Sequence, residues 1–189
     1  MNKKRILAIC GSTRKASSNL NLIHAAMDLS TGVFDWQLFN GIDQLPHFNP
    51  DLLAAVPQVV TDFYEQLQHA DGVLICTPEY AIGVPGSLKN AIDWTVSAMS
   101  FSQKPVALIT ASTSGAVAHR SLLGTLLIIE SRITEDTALL VPAVKTKVSA
   151  DHHITDSDLQ HQVVHLLRSL SDMIEGASDL KYLPRPDLM

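Results

Sequence analysis

Ile6-Leu7-Ala8-Ile9-Cys10-Gly11-Ser12-Thr13-Arg14-Lys15-Ala16-Ser17-Ser18-Asn19 carries the fold signal of this chain. Its first five residues are continuously apolar, as a strand buried on both faces requires. Leu20, Leu22, Ile23, Ala26 and Met27 follow at helical spacing. Between strand and helix lies a loop of small, hydroxyl-bearing residues with one arginine. Such a loop is how an anion is commonly held. Small residues let the backbone come close, and the first N–H groups of the helix point outward without partners. The arginine adds a planar fork of donors matched to phosphate oxygens.

The loop lacks the Gly-x-x-x-x-Gly-Lys-Ser/Thr run of nucleoside triphosphatases and the three spaced glycines of dinucleotide sites. Hydroxyls plus arginine suit a terminal phosphate monoester, and flavin mononucleotide (FMN) is the candidate. Taken alone, the loop is equally compatible with a plain strand-to-helix turn bearing a surface arginine.

Outward from this stretch, apolar strand-like runs alternate with helical patterns. The runs are Arg5–Cys10, Phe34–Phe39, Gly72–Thr77, Pro105–Thr110 and Thr137–Val141. The helical patterns lie near Asn19–Leu29, Pro57–His69, Ser87–Met99, Val117–Ile133 and Asp156–Ile174. Alternating β and α units predict an α/β fold, a flavodoxin-like, doubly wound, five-stranded parallel sheet of order 2-1-3-4-5 with helices on both faces. A single domain over 1–189 is expected, with its core at about 5–175 and a tail at 176–189. Ligands of such sheets sit at the carboxyl ends of the strands beside the switch point. The loops after strands 1, 3 and 4 are therefore the candidate chemistry: Gly11–Asn19, Pro78–Gly86 and Ala111–Ala116.

Composition narrows the classes. Of 189 residues 46% are hydrophobic and 17% charged, which fits a packed core and argues against disorder. A net charge of −5, with no basic run beyond Lys3-Lys4-Arg5, lacks the footprint of nucleic-acid binding. Cys10 and Cys76 read as buried apolar residues, not as a disulfide. No stretch has the length of a membrane helix and the amino terminus is unlike a signal peptide, so a cytoplasmic protein is expected. Leu122, Leu123, Leu126 to Ile129 and Ile133 cover more than one helical face and suggest a subunit interface, hence a homodimer or homotetramer. His152, His153 and His161 have no cysteine or carboxylate at metal spacing, so no metal site is expected. No Ser-His-Asp arrangement is visible, and His119 reads as a surface histidine.

The second loop is more specific. Pro78-Glu79-Tyr80-Ala81-Ile82-Gly83-Val84-Pro85-Gly86-Ser87-Leu88-Lys89-Asn90-Ala91-Ile92-Asp93-Trp94 resembles the NADPH-dependent FMN reductases, whose pattern here is Pro-Glu-Tyr-Asn, a short variable stretch, Pro-Gly and Leu-Lys-Asn-Ala-Ile-Asp-Trp. Gly11, Ser12, Arg14, Ser17 and Asn19 match the same family's first loop, and Leu45–Asp51 resembles its loop after strand 2. The resemblance covers roughly residues 5 to 170. It implies an FMN-dependent oxidoreductase that passes hydride from NADPH (or NADH) to FMN and electrons on to a small-molecule acceptor such as a quinone, chromate, an azo compound or flavin. The implied cofactor contacts are Ser12, Thr13, Arg14, Ser17, Ser18 and Asn19 in the first loop and Pro78, Glu79, Tyr80, Ala81 and Ile82 in the second. Ser112, Thr113, Ser114 and Gly115 complete them in the third. The flavin carries the chemistry, so no catalytic side chain is expected. This length leaves no second nucleotide domain, so NADPH and acceptor are expected to occupy one place in turn. The alternative is a flavin-binding redox carrier or sensor without turnover.

Ser87 reads as the N-cap of the helix that follows. Lys89, Asn90 and Asp93 share a helix face and are expected to brace the loop or pair across a dimer. Trp94 reads as packing. Glu79 reads as either a proton donor or a partner of Lys89. Ala81 replaces the family's asparagine, Ile82 and Gly83 also depart from the pattern, and Ser114-Gly115 stands where two glycines are common. The expected result is a more apolar and more open rim, which bears on substrate preference more than on flavin binding.

Overall fold

The computed structural model describes residues 3–186. Five parallel strands, β1 (Lys4–Cys10), β2 (Phe34–Phe39), β3 (Gly72–Thr77), β4 (Val106–Ala111) and β5 (Ala138–Val141), form one sheet in the order β2-β1-β3-β4-β5. The central strands β3 and β4 are buried at every residue, as their unbroken apolar runs demand. The predicted flavodoxin-like order is the observed one.

Among the described residues five α-helices cover the sheet: α1 (Ser18–Leu29), α2 (Gln58–His69), α3 (Gly86–Ser97), α4 (Ala116–Ile128) and α5 (Ser157–Glu175). Alternation along β1 sorts them. Leu7 and Ile9 pack with Phe63 of α2, Ile92 of α3 and Leu126 of α4. Ile6, Ala8 and Cys10 face the other way, towards Leu22 and Ile23 of α1 and Leu166 and Leu170 of α5. The apolar stripe of α5 is buried as its periodicity predicts, and Asp156 caps its start by accepting from Leu159 N–H at 2.8 Å.

Gly11 sets where β1 ends. Its N–H donates to Cys76 C=O at 2.8 Å. A Cβ there would fall on the Thr77 hydroxyl, 2.7 Å from Thr77 Cβ, so only glycine allows the first loop to lie this close to β3.

Two local expectations are corrected. The helical pattern expected to run to Ile133 stops at Ile128. Glu130 turns back at φ 70° and Ser131 N–H donates to Leu126 C=O, so Ile129 and Ile133 belong to the return path. Ile133 is fully buried in the core, which accounts for part of the apolar excess that suggested an interface. Ser87 is not an N-cap: Pro85 holds that position and Gly86 opens α3. Beyond α5, Tyr182 and Leu183 pack against the segment before β5, with Leu183 N–H donating to Ile133 C=O at 2.8 Å and the Arg132 guanidinium 4.5 Å from the Tyr182 ring centre. Among the described residues no helix is long and apolar enough to cross a membrane.

Candidate active site

The carboxyl ends of the strands open into a cleft of about 370 Å³. Ser12, Arg14, Ser17, Ser18 and Asn19 line it from the first loop, and Pro78, Glu79 and Tyr80 from the second. Ser112 and Thr113 join from the third. Ten of the fifteen residues singled out in the sequence thus meet around one space, although the three loops lie up to about a hundred positions apart in the chain.

On one wall, α1 presents its amino end. Ser17 occupies the cap position with extended backbone (φ −98°, ψ 122°), but its hydroxyl makes no capping bond and the first turn holds no acidic residue. Among the described residues nothing accepts from the N–H groups of Ser17, Ser18 or Asn19. The Arg14 side chain is exposed and paired with no described carboxylate. Free amides at a helix start, three serine hydroxyls and an unpaired guanidinium are the donor set that a phosphate monoester needs, so these residues fit that group.

Asn19 is turned inward. Its amide donates to Ala111 C=O at 3.1 Å, and its oxygen accepts from the Cys76 thiol at 3.3 Å. One side chain thereby ties α1 to the ends of β3 and β4. Burial pushes both the Cys10 and Cys76 thiols up, Cys76 far more, so neither is a ready thiolate.

The opposite rim is a tight hairpin. Tyr80 N–H donates to Gly83 C=O at 2.8 Å and Gly83 N–H to Tyr80 C=O at 3.0 Å. The two residues between them, Ala81 and Ile82, stand at φ 49° and 64°. Both central residues at positive φ make a turn that favours Asn-Gly. The missing asparagine is therefore first a backbone matter: alanine and a β-branched isoleucine hold a left-handed conformation that costs about 1–2 kcal/mol per residue. Ile82 is 70% exposed and Tyr80 46%. Ala81 and Ile82 form the tip of the turn and do not line the cleft, nor do Ser114 and Gly115. Gly115 instead enters α4 at φ 93°. Thr13 faces a separate crevice beside Phe39 and Asp43.

Glu79 serves neither expectation. Its Oε2 accepts from Val117 N–H at 3.1 Å and Ala118 N–H at 2.9 Å, so it caps α4 from 38 residues away. Lys89 pairs with Asp93 at 2.6 Å on the surface of α3. Asn90 braces the loop after β2, accepting from Phe48 N–H at 2.7 Å and donating to Pro46 C=O at 3.0 Å. Trp94 is fully buried and donates to the same carbonyl at 2.8 Å. His119 is not the surface histidine expected: it is half-buried, with Nδ1 2.9 Å from Thr110 Oγ1, and burial lowers its pKa.

Sequence reasoning missed a fourth wall. Ala143, Val144, Lys145 and Thr146, just after β5, line the cleft. Ala143 N–H donates to Thr113 C=O and Val144 N–H to Ser112 C=O, both at 3.2 Å, so this turn is laced to the third loop. The available signal was topological: in a parallel sheet the carboxyl end of β5 lies on the same edge as those of β1, β3 and β4.

Comparison with known proteins agrees with this geometry. The sequence profile of the NADPH-dependent FMN reductases matches residues 4–144. A 2-hydroxy-1,4-benzoquinone reductase from a Burkholderia species is 31% identical over 160 residues, 82% of this chain and 87% of that protein. An NAD(P)H-dependent FMN reductase from Pseudomonas aeruginosa is 30% identical over 172 residues, 88% of this chain and 92% of the other. The solved structure of FerB, a flavoenzyme NAD(P)H:(acceptor) oxidoreductase from Paracoccus denitrificans, superposes with a TM-score of 0.79 at 31% identity, covering 91% of this chain and 97% of that one. The chain belongs to the NADPH-dependent FMN reductase family and is an FMN-dependent, NAD(P)H-driven oxidoreductase.

Proposed function

We propose that the cleft is the FMN site and that the protein reduces quinones there at the expense of NAD(P)H. The observation that carries this reading is the uncapped amino end of α1 facing Arg14, across from the Tyr80 hairpin, in one cleft at the sheet's switch point. Arg14, Ser12, Ser17, Ser18 and the free amides of α1 would hold the phosphate. Tyr80 and the Ser112-Thr113 backbone would meet the ring. FMN, when bound, supplies the centre that accepts hydride and returns electrons. The residues lining the cleft would hold and orient it at the carboxyl ends of the strands.

The chain acts as one domain, with a small-molecule acceptor and as a cytoplasmic homo-oligomer. The quinone assignment is supported by the Burkholderia relative and by the exposed aromatic ring of Tyr80 lining the cleft. NAD(P)H and the acceptor share one opening and take turns. Bleaching of the yellow protein by NADPH and recolouring by a benzoquinone is the expected result, with parallel double-reciprocal lines when both substrates are varied. Bleaching without recolouring by any of quinone, chromate or azo dye would assign the chain to electron carriage or sensing instead.

A further inference from the structure

Lys145 lines the same cleft as Arg14, from the turn after β5. Both side chains are exposed, and among the described residues neither has a carboxylate partner. The turn that carries Lys145 is well fixed. Buried Val144 anchors it, and Thr146 donates to Ala143 C=O through both N–H (3.0 Å) and hydroxyl (2.9 Å). Further on, Ser149 C=O accepts from Asn21 Nδ2 of α1 at 3.0 Å. The Lys145 turn is thus tied to the third loop on one side and to α1 on the other.

Charge balance says what such a lysine is for. A phosphate monoester carries about −1.5 to −2 at neutral pH. The amino end of a helix offers roughly +0.5, and Arg14 adds one full charge. As much as about half a negative charge is left over, in a chain whose net charge is −5. The other charged group of the cleft, the Glu79 carboxylate, is engaged by the Val117 and Ala118 amides and offers nothing to an anion. We propose that Lys145 is the second cation of the phosphate site, closing it from the β5 side, so that the cradle is built from two loops rather than one. This inference rests on the placement of the FMN phosphate at α1.

The test is equilibrium binding of FMN and of riboflavin, which lacks the phosphate, to flavin-stripped protein, followed by flavin fluorescence. Lys145→Gln is expected to raise the Kd for FMN about tenfold, the loss of one charge-assisted hydrogen bond, and to leave riboflavin binding unchanged. Lys145→Arg is expected to stay near wild type. An unchanged FMN Kd in Lys145→Gln, while Arg14→Ala loses affinity, overturns the role of Lys145 alone. Equal weakening of FMN and riboflavin overturns it too, because the lysine then touches something other than phosphate. Wild-type protein that binds riboflavin as tightly as FMN overturns the phosphate placement itself.

Discussion

The first loop and the Tyr80 hairpin face each other across the cleft, and they are built on opposite terms. Every conformational demand of the first loop is met by the residue present: glycine where β3 crowds the backbone, serines beside free amides, an asparagine clasped between two strands. The hairpin holds alanine and isoleucine where glycine or asparagine belongs, and it exposes both of its large side chains. The first loop is thus free of positive-φ side chains, while the opposite hairpin keeps a strained, apolar tip. That division fits the proposed arrangement of a firmly held FMN opposite a substrate-facing rim, since strain persists only where surrounding structure or function maintains it.

Substitutions can break the first loop and relax the second. Gly11→Ala is the most damaging, because the new Cβ meets Thr77; a loss of about 3 kcal/mol is expected in urea unfolding, together with weak FMN binding. Arg14→Ala leaves the fold intact and costs about 1.5–3 kcal/mol of FMN affinity in a fluorescence titration. Ile82→Gly acts in the other direction. It relieves the left-handed isoleucine and is expected to stabilise the protein by about 1 kcal/mol, read as a raised Tm, with FMN affinity unchanged. Should Ile82→Gly destabilise the chain, the turn is not strained and the contrast between the two rims falls.

The smallest effect concerns the flank of α1. His24 stacks on His152 with ring centres 4.6 Å apart, and burial, reinforced by the charge His152 would carry and opposed by Asp28, lowers its pKa. The unfolded chain therefore takes up the proton first. The resulting contribution is fully present above the ordinary histidine value near 6.5 and is lost as pH falls below it towards the lowered native value. Tm measured between pH 7.5 and 5.5 is expected to drop less in His24→Gln than in the wild type.

Much of this was legible in the sequence, for physical reasons that differ by element. β3 and β4 are buried on both faces, so their apolar runs mark them to within a residue. The first loop was legible because close backbone approach and anion binding restrict which residues fit, the second because its run from Pro78 to Trp94 resembles a known family pattern. The end of α4 was not, since Ile129 and Ile133 continue an apolar pattern through a turn whose reversal depends on contacts with Leu126 and Lys104. The turn after β5 was missed because Pro142-Ala143-Val144-Lys145-Thr146 has no glycine and no cluster of hydroxyls to mark it. The cap that Glu79 gives α4 was beyond local reading, since it joins residues that only the folded sheet brings together.

That cap has a dynamic consequence. Glu79 precedes Tyr80 directly, so any outward swing of the hairpin that draws the carboxylate with it leaves the Val117 and Ala118 amides open to water. Opening of the substrate rim and fraying of α4 become one event. Hydrogen exchange at those two amides then reports how often the hairpin moves away from α4, readable without any turnover at all.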